Sequence, residues 1–162
     1  MIVGCSGSGK STLAHQISQL TDLPIIHLDQ HYFNPGWNEI PREEFIELHK
    51  QLIEKDEWII DGNYLVTMNE RIKEADTIIF LNRPTLLCLL RIIKRFLSGT
   101  RIDPITGCKE QLEWEFVHYV LMYNFKTRPR VLDVVRKVNS SQNLYVLKSE
   151  KEVNRFIQEL HD

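Results

Sequence analysis

Short, continuously apolar runs alternate along the chain with longer stretches in which apolar residues recur every three or four positions. The runs are Ile2-Val3, Pro24-Ile25-Ile26-His27, Trp58-Ile59-Ile60, Thr77-Ile78-Ile79-Phe80-Leu81 and Leu144-Tyr145-Val146-Leu147. Runs this short, with no polar alternation, read as strands buried on both faces. Between them, residues 12–20 place Leu13, Ile17 and Leu20 on one helical face. Residues 42–55, opened by Pro41, do the same with Phe45, Leu48, Leu52 and Ile53. Further helices are predicted over about 67–74, 85–97, 109–138 and 150–160, with a turn-rich stretch over 98–107. Strand and helix in alternation predict βαβ units: an α/β fold of three layers, a five-stranded parallel sheet with helices on both faces. No repeat or linker interrupts the pattern, so residues 1–162 are expected to form one domain. The insertion between the fourth and fifth strands, about 98–138, is the expected cover over a site.

At the end of the first strand stands Gly4-Cys5-Ser6-Gly7-Ser8-Gly9-Lys10-Ser11. A glycine, four free positions and Gly-Lys-Ser, set between a strand and a helix, is the pattern of a phosphate-binding loop. Its glycines allow backbone N–H groups to turn inward around phosphate oxygens. Gly4, Ser6, Gly7, Ser8, Gly9, Lys10, Ser11 and Thr12 are therefore the expected nucleotide-binding residues. Lys10 carries a mobile charge to the outer phosphates, the Ser11 hydroxyl is placed to ligate Mg²⁺, and the helix opening at Thr12 turns its positive end to the same anion. A nucleoside triphosphate is the expected ligand.

Composition changes this picture little. Apolar residues make up 43 % and charged residues 26 %, as in ordinary globular domains. No apolar run approaches a membrane span: the stretch 86–97 is broken by Arg91, Lys94 and Arg95. Three cysteines without a CxxC pair fit a reducing compartment, and the phosphate loop starts three residues after Met1, leaving no room for a signal segment. A cytoplasmic protein without a membrane partner is expected. Charge is uneven: residues 1–90 hold 7 basic against 13 acidic residues, residues 91–137 hold 10 against 5. A basic segment in an acidic chain suits the grip of one compact anion, and direct nucleic-acid binding is not expected.

In open parallel sheets, chemistry gathers at the carboxyl ends of the strands. Asp61 ends the third strand after three large apolar residues and reads as a Mg²⁺-anchoring acid, or else as a turn-forming Asp before Gly62. Asp29, after the second strand, faces the same crevice from the acceptor side, where it could orient or deprotonate an attacking hydroxyl; an Asx turn is the plain alternative. A metal triplet of His27, Asp29 and His31 is weakly suggested. Tyr32, Phe33, Pro35 and Trp37 form an aromatic loop that serves either an acceptor pocket or local packing. Arg91 and Arg95 share one helical face, with Leu86, Leu87, Leu89, Leu90, Ile93 and Leu97 on the others; Arg101, Arg128 and Arg130 add guanidiniums in the same insertion. At least two of these arginines are expected at the phosphates, with Arg91, Arg95 and Arg128 the candidates for catalysis. Trp114, Phe116, Tyr119, Val120 and Tyr123 recur at helical spacing and read as packing.

Taken together, Gly4–Thr12, His27-Leu28-Asp29 with Tyr32 and Pro35-Gly36-Trp37, Trp58-Ile59-Ile60-Asp61-Gly62-Asn63-Tyr64, and Arg91, Arg95 and Arg101 resemble the bacterial DNA topology modulation protein family, a branch of the adenylate-kinase-like P-loop kinases. The resemblance implies a sheet of order 2-3-1-4-5, ATP with Mg²⁺, and an arginine-bearing lid. Adenylate kinases carry an acceptor-binding arginine after the third strand; here Asn63 and Tyr64 stand in that region, suiting a hydroxyl-rich acceptor. Asp29, Tyr32, Trp37, Asn63 and Tyr64 are then the expected acceptor-binding residues. The leading expectation is a kinase passing the ATP γ-phosphate to a small hydroxyl- or phosphate-bearing acceptor. The alternatives are a regulatory NTPase associated with DNA topology, without a small acceptor, and a binding module with little turnover. The chain is expected as a monomer or homodimer.

Overall fold

The computed structural model describes residues 1–109 and 111–161. Five strands, β1 (Ile2–Gly4), β2 (Ile25–His27), β5 (Ile59–Asp61), β6 (Thr77–Leu81) and β7 (Asn143–Leu147), pair in parallel in the order β2-β5-β1-β6-β7. Counted among themselves, these strands run 2-3-1-4-5. The numbering differs because a small hairpin, β3 (Phe33–Asn34) with β4 (Asn38–Glu39), lies outside the sheet, a feature the hydrophobic pattern does not announce.

Period-two alternation along the strands feeds two cores. Ile2, Ile59, Ile79 and Leu81 pack with Leu13, Ala14 and Ile17 of α1 (Lys10–Thr21) and with Val153 and Phe156 of α8 (Glu150–His161). Val3, Ile78 and Phe80 point to the other face. There they meet Met68 and Ile72 of α4 (Leu65–Glu74) and Val131, Val134 and Val135 of α7 (Arg128–Val135). Beside them, Ile26 and Ile60 pack with Phe45 and Leu52 of α3 (Arg42–Ile53). Both faces are apolar because both are covered, each fully buried large side chain contributing about 1.5–3 kcal/mol.

One expectation needs correction. The helical region predicted over 109–138 divides into α6 (Trp114–Lys126) and α7, meeting at Thr127; residue 110 lies outside the described residues. Pro129, at the start of α7, has no N–H and its ring would collide with the carbonyl four residues back, so α6 cannot run through it. Both α6 and α7 also feed the cores, through Val120, Tyr123 and the three valines. Of the aromatic series along α6, Tyr123 is buried and Trp114 is 70 % exposed. The next helix, α5 (Thr85–Ser98), buries Cys88 and Ile92 against Cys5, Val120 and Tyr123, while Leu86, Leu90 and Leu97 stay exposed. A five-residue helix, α2 (Leu28–Tyr32), also follows β2 directly and carries Asp29 in its only full turn. Among the described residues, no helix is long and apolar enough to cross a membrane.

Candidate functional site

The carboxyl ends of β1, β2 and β5 open into a cleft of about 1040 Å³ lined by residues 6–12, Asp29, Asp61, Asn63, Tyr64 and the segment 100–103. The loop after β1 turns on Ser8 N–H donating to Cys5 O at 3.0 Å. The first amide of α1 with a helical partner is Leu13, donating to Gly9 O at 2.9 Å, so those of Lys10, Ser11 and Thr12 point past the helix start. This is the anion-binding end of a helix joined to a turn of amides, the cradle the motif requires. Gly4 lies beneath the cleft. Its N–H donates to Asn63 Oδ1 at 3.0 Å, and its carbonyl, with that of Cys5, accepts from Lys10 Nζ at 3.2 and 3.1 Å. Lys10 is thus folded across its own loop.

Asp61 is held on both oxygens. Oδ1 meets His27 Nδ1 at 2.8 Å and Oδ2 accepts from Ser11 Oγ at 2.8 Å. His27 and Asp61 are cross-strand neighbours in register, which places the ring beside the carboxylate. Burial alone would push the His27 pKa down; the hydrogen bond to Asp61 and the charges of Asp61, Asp103 and Asp29 outweigh it and raise it. His27 therefore positions an acid, instead of joining Asp29 and His31 around a metal. Ser11 Oγ also lies 3.2 Å from Asp103 Oδ2, a residue 92 positions away. Burial favours the protonated form of Asp103, but the hydrogen bonds and charge of Arg101 prevail and hold its carboxyl below the usual range.

On the acceptor side, Asp29 Oδ1 accepts from Tyr64 OH at 2.7 Å and Oδ2 from Arg101 Nη2 at 3.2 Å. Burial and the nearby Asp29 charge raise the Tyr64 pKa, keeping the phenol a donor. Tyr64 reaches this position at φ 31°, on a loop whose Gly62 and Asn63 carbonyls are both clamped at 2.8 Å by the fully buried Arg71. Tyr32 packs edge-on against Phe45 and Tyr64 and donates to Glu39 Oε2 at 2.8 Å. Trp37, at the tip of the β3–β4 hairpin, lies 5.6 Å from the Arg101 guanidinium. Its indole N–H donates to Lys109 O at 2.7 Å. The aromatic loop thus serves both as cleft wall and as packing.

The predicted arginines part company. Arg91 lines the cleft, donating to Ser8 O at 3.2 Å and to Glu150 Oε2 at 2.9 Å; Arg83 donates to the same Glu150 oxygen at 3.0 Å. Arg95 also lines the cleft. Arg128 does not: its Nε donates to Asn82 Oδ1 at 2.9 Å, which holds it at the end of β6, and Arg130, two residues on, lines the cleft in its place. Sequence reasoning missed the roles of Asp103, His27, Arg71 and Glu150. Only His27 had a signal, its place opposite Asp61 at the ends of adjacent strands.

The donor set is one of hard oxygens: the Ser11 hydroxyl, Asp61 and Asp103. This fits Mg²⁺, which is bound through one or two carboxylates with phosphate oxygens completing the shell. Among the described residues no group of three or more His, Cys, Asp or Glu is arranged to hold a metal, so an ion here depends on Ser11 and on a phosphate.

No protein-family model matches the chain, and no curated protein does. Solved structures do match over nearly its full length. Shikimate kinase from Acinetobacter baumannii in complex with shikimate aligns with a TM-score of 0.61 and 13 % identity, covering 98 % of this chain and 88 % of that one. Shikimate kinase from Bacteroides thetaiotaomicron aligns with a TM-score of 0.52 and 17 % identity, covering 98 % and 93 %. At these identities the likeness is one of fold: a parallel sheet flanked by helices, shared with these two structures.

Proposed function

We propose that this chain is a phosphotransferase that moves the γ-phosphate of Mg²⁺·ATP to a hydroxyl group of a small acceptor. One observation carries the reading: Asp29, fixed by Tyr64 and Arg101, shares a single cleft with Lys10, Ser11 and Asp61. A hydrolase that only switches conformation has no need of an acid mounted on its own two-point support opposite the phosphate loop. The fold shared with shikimate kinases and the motif resemblance to the topology modulation proteins support the same reading without identifying the acceptor.

On this reading, the loop amides and Lys10 hold the β- and γ-phosphates, with Lys10 leaving the Gly4 and Cys5 carbonyls to do so. Ser11 and Asp61 would hold Mg²⁺, which supplies charge neutralisation at the phosphate oxygens when bound. Asp29 orients the acceptor hydroxyl and takes its proton, while Arg91 and Arg95 stabilise charge on the transferring group. Residues 100–109, stitched to the β3–β4 hairpin through Gly36 N–H to Gly107 O at 3.1 Å and Trp37 to Lys109, close the cleft over the acceptor and exclude water. Asn63 and Tyr64 line this space as neutral residues, Arg71 is turned into the protein, and the Arg101 guanidinium beside Asp29 is paired with Asp29 and Asp103, which favours a hydroxyl over a phosphate as the attacking group.

The test is a product assay with Mg²⁺·ATP against a panel of nucleosides, nucleotides, sugars and hydroxy acids. ADP release that depends on one class of acceptor, with a phosphorylated product of matching mass, is expected. Acceptor-independent hydrolysis alone would overturn the transferase reading in favour of a regulatory NTPase, and failure to bind any nucleoside triphosphate would overturn both.

A further inference from the structure

Ser11 Oγ stands between two buried carboxylates, 2.8 Å from Asp61 Oδ2 and 3.2 Å from Asp103 Oδ2, with the two acids only 4 % and 7 % exposed. A serine hydroxyl has one hydrogen, so it can donate to one of these oxygens and must show the other a lone pair. Each acid is compensated on its outer side: Asp61 by His27, and Asp103 by Arg101, whose Nε lies 3.2 Å from Oδ1 and Nη2 3.3 Å from Oδ2. At the inner corner three oxygens converge on one proton, with Arg101 Nη2 reaching the Asp103 oxygen from its far side. Such a corner is electrostatically costly unless a cation fills it.

We propose that Asp103 is the second carboxylate of the metal site, carried in by the segment 100–109, so that the divalent cation clasps this segment onto the phosphate loop. The inference rests on the nucleotide-binding reading above and extends it. Asp61 comes from the rigid sheet, whereas Asp103 sits on a connection between α5 and α6. That connection is tied elsewhere to the acceptor wall, through Gln30 Nε2 to Pro104 O at 3.1 Å and Trp37 to Lys109 O. A metal drawn to both acids therefore joins the donor half of the cleft to the acceptor half. Arg101 reinforces the link, since the same Nη2 that binds Asp103 also reaches Asp29. Metal binding, closure of the segment and placement of Asp29 become one event.

The experiment measures Mn²⁺ binding to the full chain saturated with ADP, by electron paramagnetic resonance, for wild type and Asp103→Asn, together with ADP affinity in EDTA. Asp103→Asn is expected to weaken Mn²⁺ by at least about tenfold while metal-free ADP affinity holds within about twofold. Unchanged Mn²⁺ affinity in the variant would overturn the role of Asp103 and leave the nucleotide site standing. A wild-type chain that binds neither ADP nor Mn²⁺·ADP would instead overturn the nucleotide reading itself. Should Asp103→Asn fail to fold, hydrogen exchange on the wild-type ADP complex decides: amides over 101–109 must gain protection when Mg²⁺ is added, and unchanged protection overturns the clasp.

Discussion

Gly7 and Gly9 both sit in the phosphate loop at positive φ, 76° and 100°, yet the structure predicts different consequences for replacing them with alanine. Either substitution forces an L-residue into the left-handed region, at about 1–2 kcal/mol. There the similarity ends. A Cβ on Gly7 would lie 2.4 Å from the Cys88 carbonyl oxygen and 2.9 Å from Ile92 Cγ1, whereas a Cβ on Gly9 meets only Arg91 Nη1, at 3.6 Å. The first contact is with helix backbone, so α5 itself must shift, and overpacking of that kind adds about 1–3 kcal/mol. Gly7→Ala should therefore lose about 2–5 kcal/mol and Gly9→Ala about 1–2 kcal/mol. At about 2–4 °C per kcal/mol for a chain of this size, that is a fall in Tm of roughly 10 °C against roughly 4 °C. Circular dichroism melts of the nucleotide-free proteins read the difference, and calorimetry with Mg²⁺·ATP should show Gly9→Ala weakened in binding but folded. Equal melting losses in the two variants would refute the claim that the loop is moulded against α5.

Three further outcomes follow from the same geometry. Lys10→Ala should weaken Mg²⁺·ATP by at least about tenfold, the value of one charge-assisted hydrogen bond to phosphate; undiminished affinity in calorimetry removes Lys10 from that role. Asp29→Asn should lower phosphoryl transfer by about 10²–10⁴-fold while ATP affinity stays within about twofold, and full turnover would exclude a base there. His49 is fully buried, both ring nitrogens lack a partner among the described residues, and burial with the Arg71 charge lowers its pKa from 6.5 to about 4. The unfolded chain thus takes up this proton first, so stability present above pH 6.5 is lost as pH falls towards 4, by at most about 3 kcal/mol. Urea titrations of His49→Leu should show a correspondingly shallower acid slope, and parallel slopes would contradict the burial argument.

The fold was legible because its signals are local. The short apolar runs mark the sheet strands to within a residue or two, and the glycine loop sits where a strand must end and a helix begin. What escaped depends on contacts across distance. Arg71 looks like one more surface cation on an amphipathic helix, and only the packing of α4 against β1 and β6 turns it inward to the Gly62 and Asn63 carbonyls. Asp103 has no sequence partner within reach of Ser11; loop closure over some ninety residues brings them together. Arg128 misled for the same reason, since its neighbour Pro129 restarts the helix and rotates it towards Asn82. The α5 leucines show the limit of periodicity: it finds an apolar face without saying what covers it.

The two acids that the sequence singled out sit in opposite environments, a contrast that supports the roles proposed for them. Asp61 is 4 % exposed, with both oxygens committed to groups on rigid elements, a histidine on the next strand and a serine on α1. A carboxylate so fixed presents constant geometry, which suits an ion. Asp29 has a side chain 43 % exposed. One of its two supports, Tyr64, is rooted in the sheet-end loop; the other, Arg101, belongs to the connection between α5 and α6. On the proposed reading Tyr64 aims one Asp29 oxygen and Arg101 holds the other, so the base is set when this connection closes. On that reading the proposed division of labour follows from which acid the sheet holds and which the α5–α6 connection holds.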